Sequence, residues 1–217
     1  MKKHQNIGFL FDLDGVLIDT ESQYDNIWIR INDEFPVGIP NFQKVIKGCT
    51  LNKILNDYFP DEKVRAGVTQ RLHELENKME FTYMRGAQKF LNNLQSNNYP
   101  MALVTSSDNK KMLKLTDQMP EILEYFDFVV TGDLISNSKP SPDGYLLAAS
   151  KLGISPEHCV VFEDSLQGVM AGKAAGCLVV GIYGTLEQEV IKPYSDIVVG
   201  SLSEVNLDKL KTNLLDR

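Results

Sequence analysis

Ile7-Gly-Phe-Leu-Phe-Asp-Leu-Asp-Gly-Val-Leu17 is the stretch on which the reading of this chain turns. Its first five residues are an uninterrupted apolar run, closed by Asp12-Leu-Asp-Gly15. A short run that is apolar at every position fits a strand buried on both faces, because a half-exposed strand alternates polar with apolar side chains. Similar runs recur at Met101–Thr105, Phe128–Thr131, Cys159–Phe162, Leu178–Ile182 and Ile197–Val199. Helical patterns lie between them at Ala87–Gln95, Lys110–Gln118, Asp143–Leu152 and Gln167–Ala175. Pro142 opens the third of these, Gly153 closes it, and Gly176 closes the fourth. Strand and helix therefore alternate, which predicts an α/β fold: a doubly wound, Rossmann-like parallel sheet between two helical layers. In such a fold the ligand crevice lies at the carboxyl ends of the strands.

The interval from Asp19 to Tyr83 breaks this rhythm, since it holds only helical patterns, at Tyr24–Phe35, Asn41–Lys47, Leu51–Tyr58 and Glu62–Met79. Ile27, Trp28, Ile31 and Phe35 fall on one helical face, as a bundle helix requires. Residues 17–83 are thus expected to form a helical insert after the first strand, with residues 1–16 and 84–217 making the core. Val16–Thr20 leads in and Phe81–Gly86 leads out, and if they meet above the strand ends the insert can close over the crevice as a lid. Ser201–Arg217 reads as a surface helix. There is no internal repeat.

Composition narrows the function classes. The chain has 217 residues, enough for one domain and a smaller insert, and 43% of them are hydrophobic, which excludes a disordered or disulfide-stapled chain. A net charge of -7 argues against nucleic acid as a partner, because neutralising phosphates takes clustered Lys and Arg. Cys49, Cys159 and Cys177 have no CxxC spacing and read as reduced thiols. No run approaches the roughly 18–20 apolar residues of a membrane span, and the start lacks the long apolar region of a signal peptide. A cytoplasmic protein with no membrane partner is expected.

Asp12 and Asp14 stand two apart at a strand end, so strand periodicity sends both side chains the same way, into the crevice. Asp14-Gly15 is also a common turn dipeptide. Glu163-Asp164-Ser165 puts a second acidic pair at a second strand end, where Asp164 or Ser165 also suits a helix N-cap. Two acidic pairs at the ends of buried strands repel each other unless they share a proton or a cation, and a hard cation with oxygen ligands such as Mg2+ fits them. Thr105-Ser106-Ser107 offers hydroxyls and N–H groups to an anion beside the helix that follows. Lys139, on the Ser138-Lys-Pro140 turn, brings a positive charge to the same side of the sheet.

Phe11-Asp-Leu-Asp-Gly-Val-Leu17, Thr105-Ser-Ser107, Lys139-Pro140 and Glu163-Asp-Ser165, with Gly168 and Gly176 downstream, resemble in order and spacing the four motifs of the haloacid dehalogenase superfamily. The insert resembles its α-helical cap, and the nearest branch is the β-phosphoglucomutase-like sugar-phosphate phosphatases. That resemblance implies a Mg2+-dependent hydrolase acting on a small phosphorylated metabolite, and a monomer is expected. Asp12 would be the nucleophile that takes the phosphoryl group. Asp14 would protonate the leaving oxygen and then deprotonate the attacking water. Mg2+ would be held by the Asp12 carboxylate, the Asp14 carbonyl and the Asp164 carboxylate, with Glu163 in or near its shell. Thr105, Ser106 and Lys139 would hold the phosphoryl oxygens, with Ser107 and Asn109 beside them. Asp14 favours phosphate chemistry, because dehalogenases and phosphonate hydrolases of this pattern usually lack an acid there.

In the insert, Tyr24 stands where the mutases carry a His. Lys47-Gly-Cys-Thr-Leu51 lacks the Arg with which they grip a second phosphate. The expected substrate contacts are then Tyr24, Lys47, Gly48, Thr50 and Lys53, and hydrolysis is favoured over a mutase, with a phosphoanhydride such as pyrophosphate as the other alternative. His4, His73 and His158 are not placed for catalysis.

Overall fold

The computed structural model describes residues 7–215, so His4 lies outside it. Four helices follow the first strand: α1 (Glu21–Glu34), α2 (Phe42–Val45), α3 (Leu51–Tyr58) and α4 (Glu62–Glu76). The remaining helices are α5 (Ala87–Ser96), α6 (Asn109–Gln118), α7 (Asp143–Leu152), α8 (Leu166–Ala174), α9 (Gln188–Ile191) and α10 (Leu207–Leu215). They alternate with β1 (Gly8–Phe11), β2 (Met101–Val104), β3 (Phe128–Val130), β4 (Cys159–Glu163), β5 (Leu178–Ile182) and β6 (Ile197–Val199).

The six strands form one sheet in the order β3-β2-β1-β4-β5-β6, and every neighbouring pair is parallel. Phe11 is in register with Leu103 on one side and Phe162 on the other, so the loops after β1, β2 and β4 emerge at one end. Chain order reverses at β1, which leaves a crevice between the loops after β1 and β4.

Burial on both faces explains the unbroken apolar runs. Phe9, Phe11, Met101, Leu103, Val160 and Phe162 pack into one layer, while Leu10, Ala102, Val104, Val161 and Val179 pack into the other. Phe11 and Phe162 stack at 4.7 Å with 8° between their planes, and Phe90 of α5 meets Phe162 edge-on at 5.4 Å. Each such buried ring stabilises the fold by roughly 1.5–3 kcal/mol. Glu163 belongs to β4 rather than to the loop after it, and it is wholly buried. A charge tolerates that position because five donors surround it, as described below.

Among the α1–α4 helices, Ile27, Trp28 and Ile31 face inward from α1. Phe42 collects edge-to-face contacts from Trp28, Tyr58 and Phe59 at 6.1, 5.0 and 6.2 Å. α4 stops at Glu76 rather than at Met79, because the N–H groups of Lys78 and Met79 turn back to the carbonyls of Leu75 and Glu76. The segments on either side of this helical group run together: Asp19 N–H donates to Thr82 O and Met84 N–H to Leu17 O, both at 2.8 Å. Ile18 bridges Asp14 and Tyr83. The C-terminal helix is found at the surface over the described residues, with Asp208, Lys209 and Thr212 exposed, and its buried Leu210 and Leu214 dock α10 on the core. No helix of the described residues is long and apolar enough to cross a membrane.

Candidate active site

β1 ends at Phe11, and Asp12 continues its ladder by donating its N–H to Phe162 O at 3.0 Å. Its carboxylate meets Lys139, whose Nζ donates to Asp12 Oδ1 at 2.5 Å, to Glu163 Oε1, and to Val104 O at 3.3 Å. The Tyr145 hydroxyl of α7 donates to the same Glu163 oxygen at 2.7 Å. Glu163 Oε2 accepts from the N–H groups of Asp164 and Ser165, each at 3.2 Å, and from the Ser165 hydroxyl at 3.0 Å. Ser165 is also the N-cap of α8, its Oγ accepting from Gly168 N–H at 3.0 Å. Glycine at 168 is required by space, because a Cβ there would lie 1.9 Å from the Glu163 carboxyl carbon.

One ammonium here serves two buried carboxylates. Burial pushes the Asp12 carboxyl up to about 8, against the pull of Lys139, with Glu163 and Asp14 adding to the rise. Burial also works against the Lys139 charge, yet Asp12 and Glu163 outweigh it and hold its pKa above that of an ordinary lysine. Asp12, Glu163 and Asp164 each present an oxygen within 4.8 Å of the others. An all-oxygen set with surplus negative charge fits a hard divalent cation. Within it Glu163 has both oxygens engaged by the protein, so it braces Lys139 and the α8 turn from behind. Thr185 donates to Asp164 Oδ2 at 2.5 Å. The left-handed Gly15 (φ +73°) brings the turn after Asp14 so close to Asp164 that a Cβ would sit 2.0 Å from the same oxygen.

Asp14 faces different partners. Lys111 Nζ donates to both of its oxygens, at 2.5 and 2.6 Å, Ser107 Oγ donates at 3.2 Å, and Thr20 donates to Oδ1. Both aspartates line one cleft of about 870 Å³, counted out to its open mouth. Its walls include Ser106, Ser107 and Asp164 from the core, with Tyr24, Trp28, Ile46, Lys47 and Gly48 opposite.

Several expected contacts are found in that wall and others are not. Ser106 Oγ donates to Gly48 O at 2.9 Å, joining the two sides of the cleft. Lys47 pairs with Asp25 at 3.5 Å. Thr105 is buried at the end of β2 and accepts from Ser107 N–H at 3.0 Å. Thr50 does not line the cleft: it is the N-cap of α3, its hydroxyl accepting from Lys53 N–H. Lys53 does not line it either, because the helix phase that buries Ile54 and Leu55 turns Lys53 outward, onto Asp57 at 2.7 Å. Asn109 turns toward the end of β3, its N–H donating to Asp133 at 2.9 Å and its side-chain oxygen accepting from Thr131. His158 meets Ser155 at 3.2 Å in its loop, whereas His73 of α4 reaches Asp108, the N-cap of α6, at 3.0 Å.

Nothing in their local sequence marks Lys111, Thr20, Tyr145, Thr185 and Glu76 as neighbours of the aspartates. Lys110-Lys111 looks like a solvated helix face; the one usable signal is that Lys111 lies in the first turn of the helix following Thr105-Ser-Ser107.

With this geometry in view, the match to known families is informative: the model of the haloacid dehalogenase-like hydrolase family covers residues 9–182. The chain belongs to that family. A phosphorylated carbohydrates phosphatase of Thermotoga maritima is 33% identical over 187 residues, covering 82% of this chain and 84% of the relative. Hexitol phosphatase A of Escherichia coli K12 is 31% identical over 213 residues, 93% and 94% of the two chains. A β-phosphoglucomutase of Clostridium difficile shares the fold with a TM-score of 0.80 at 23% identity, covering 96% of this chain and 97% of its own. This haloacid dehalogenase-like chain is therefore a hydrolase on a Rossmann-like fold of the β-phosphoglucomutase type, with its acidic cluster at the sheet's switch point.

Proposed function

We propose that the protein is a phosphatase of small phosphomonoesters, with a sugar or polyol phosphate as the substrate class and the α1–α4 insert as its cap. The observation that carries this reading is Asp12: a carboxylate at the end of β1, facing the cleft, paired with buried Lys139 and next to Asp164. An oxygen of Asp12 attacks phosphorus and the bond to the ester oxygen breaks, its electron pair leaving with that oxygen. Asp14 gives its proton to the departing oxygen. A water then loses a proton to Asp14 and attacks phosphorus, the Asp12–phosphorus bond breaks, and both aspartates return to their starting forms.

Lys139, Thr105 and the Ser106 N–H are assigned to the transferring phosphoryl oxygens, where charge neutralisation supplies most of the catalysis. The carboxylates of Asp12 and Asp164 would hold Mg2+, which when bound supplies positive charge toward the phosphoryl group. Glu163 orients Lys139.

The far wall supports a hydrolase over a mutase. Beyond the acidic cluster the cleft offers Lys47 and Lys111 against Asp25, Glu76 and Asp108, and Lys53 is outside it. A second phosphate finds little net positive charge there. Trp28, Ile46, Leu51 and Ile54 give an apolar surface for a carbon skeleton, and the names of the phosphatase relatives agree with such a substrate. The test is phosphate release from a panel of phosphorylated sugars and polyols with Mg2+. Turnover that stops in excess EDTA is expected, and full activity in EDTA overturns the cation assignment.

A further inference from the structure

We propose that Lys111 is a positioning residue for the acid Asp14, and that the helical insert completes its seat through Tyr24. This rests on the reading of Asp14 as the group that protonates the leaving oxygen.

Lys111 occupies the first turn of α6, where the N-cap Asp108 accepts its N–H at 2.9 Å. Its side chain is only 2% exposed, and its ammonium lies 2.5 and 2.6 Å from the two oxygens of Asp14. A contact to both oxygens fixes the plane of the carboxyl group as well as its position. The Tyr24 ring of α1 lies 4.2 Å from the same ammonium, and the Tyr24 hydroxyl is tied to Glu76 Oε1 of α4 at 2.6 Å. The core thus supplies the charge and the insert supplies the face that covers it. Glu76 and Asp108 are the other acidic groups on this side of the cleft. Neither takes the direct contact that Asp14 takes.

A carboxyl group beside an open cleft can turn about two side-chain bonds, and a general acid acts only within hydrogen-bond reach of the oxygen it serves. Lys111 removes that freedom. It also faces the carboxylate that Asp14 becomes once its O–H bond breaks, the proton passing to the ester oxygen as the phosphorus–oxygen bond breaks. Both contributions vanish when the leaving group departs as a stable anion that needs no proton. A dependence on the leaving group therefore separates this role from a general one in folding or in binding phosphate.

The experiment measures kcat/KM for benzyl phosphate, whose alkoxide needs a proton, and for p-nitrophenyl phosphate, whose phenolate does not. Wild type, Lys111→Met, Lys111→Arg and Asp14→Asn are compared. Both esters are run on each preparation, so their ratio is independent of the fraction folded. Lys111→Met is expected to lose at least about tenfold more on benzyl phosphate than on p-nitrophenyl phosphate, the scale of a partly lost acid. Asp14→Asn is expected to show a larger split of the same sign, and Lys111→Arg a smaller one with activity retained. Equal losses on the two esters in both Lys111 variants, with the split present in Asp14→Asn, overturn the Lys111 assignment and leave that of Asp14 standing. No split in Asp14→Asn overturns the reading of Asp14 itself, and this inference with it.

Discussion

Asp12, the nucleophile of the proposed mechanism, occupies a place that also has a cost. Its pKa of about 8 in the folded chain stands above the 3.8 of an ordinary aspartate. Between those values the folded state binds more protons than the unfolded one, so this residue's contribution to stability falls as pH rises from about 4 to about 8. Asparagine has no such dependence. In EDTA, Asp12→Asn is therefore expected to melt above wild type at pH 8, with the gap closing by pH 5; a gap equal at both pH values would show that Asp12 is not the source. If Asp12 holds Mg2+ as proposed, the cation has to displace that proton, so its stabilising shift of the wild-type melting temperature is expected to be larger at pH 8 than at pH 5. The same Asp12→Asn change is expected to cut phosphate release by at least about a thousandfold, the scale seen when a nucleophile is removed. At this scale Asp12, Asp14, Lys139 and Asp164 stood out in the sequence because each comes after a strand of the one sheet. Lys111 was not: its partner Asp14 is 97 positions away, and nothing local marks a lysine beside another lysine as buried.

The α8 helix and the strand before it show how elements hold the site. Gly168→Ala in an ordinary helix stabilises by up to about 1 kcal/mol. Here the added methyl collides with Glu163, so a loss of about 1–3 kcal/mol is expected instead. Glu163 would also be pushed off Lys139, and kcat should fall for every ester alike. Thermal melting and a kcat/KM panel check both; a more stable and fully active Gly168→Ala protein would contradict the bracing role of Glu163. Most elements could be read from periodicity and punctuation, down to Gly153 as the left-handed C-cap of α7, and of the two N-cap candidates for α8, Asp164 and Ser165, the fold uses Ser165. What could not be read was rotation. The Leu51–Tyr58 helix has the expected bounds, yet its phase is set by packing Ile54 and Leu55 inward, and that turned Lys53 away from the cleft. Likewise α10 docks through Leu210 and Leu214, a face that a short amphipathic segment does not announce.

Over the whole molecule, a parallel sheet between helical layers was implied by alternating apolar runs and helices, because parallel strands need crossovers, whereas the strand order that puts β1 beside the switch point comes from the fold alone. The insert was legible as a break in that rhythm. Its side-chain contacts with the core were not, since they pair residues such as Ser106 and Gly48 that only the fold brings together. If the insert selects substrate while the core performs transfer, Lys47→Ala is expected to raise KM and change the preference among sugar phosphates, whereas Lys139→Ala lowers kcat for all of them. A panel in which the two variants lose activity uniformly and alike would refute that division. The central claim is that Asp12 carries the phosphoryl group, and trapping tests it most directly. Asp14→Asn protein, in which water attack is slowed, is mixed with p-nitrophenyl phosphate and Mg2+, quenched in acid, and reduced with borohydride, which converts an aspartyl phosphate to homoserine. Peptide mass spectrometry is expected to find homoserine at position 12, whereas nitrophenol release with residue 12 unchanged, or homoserine at any other position, would contradict the account.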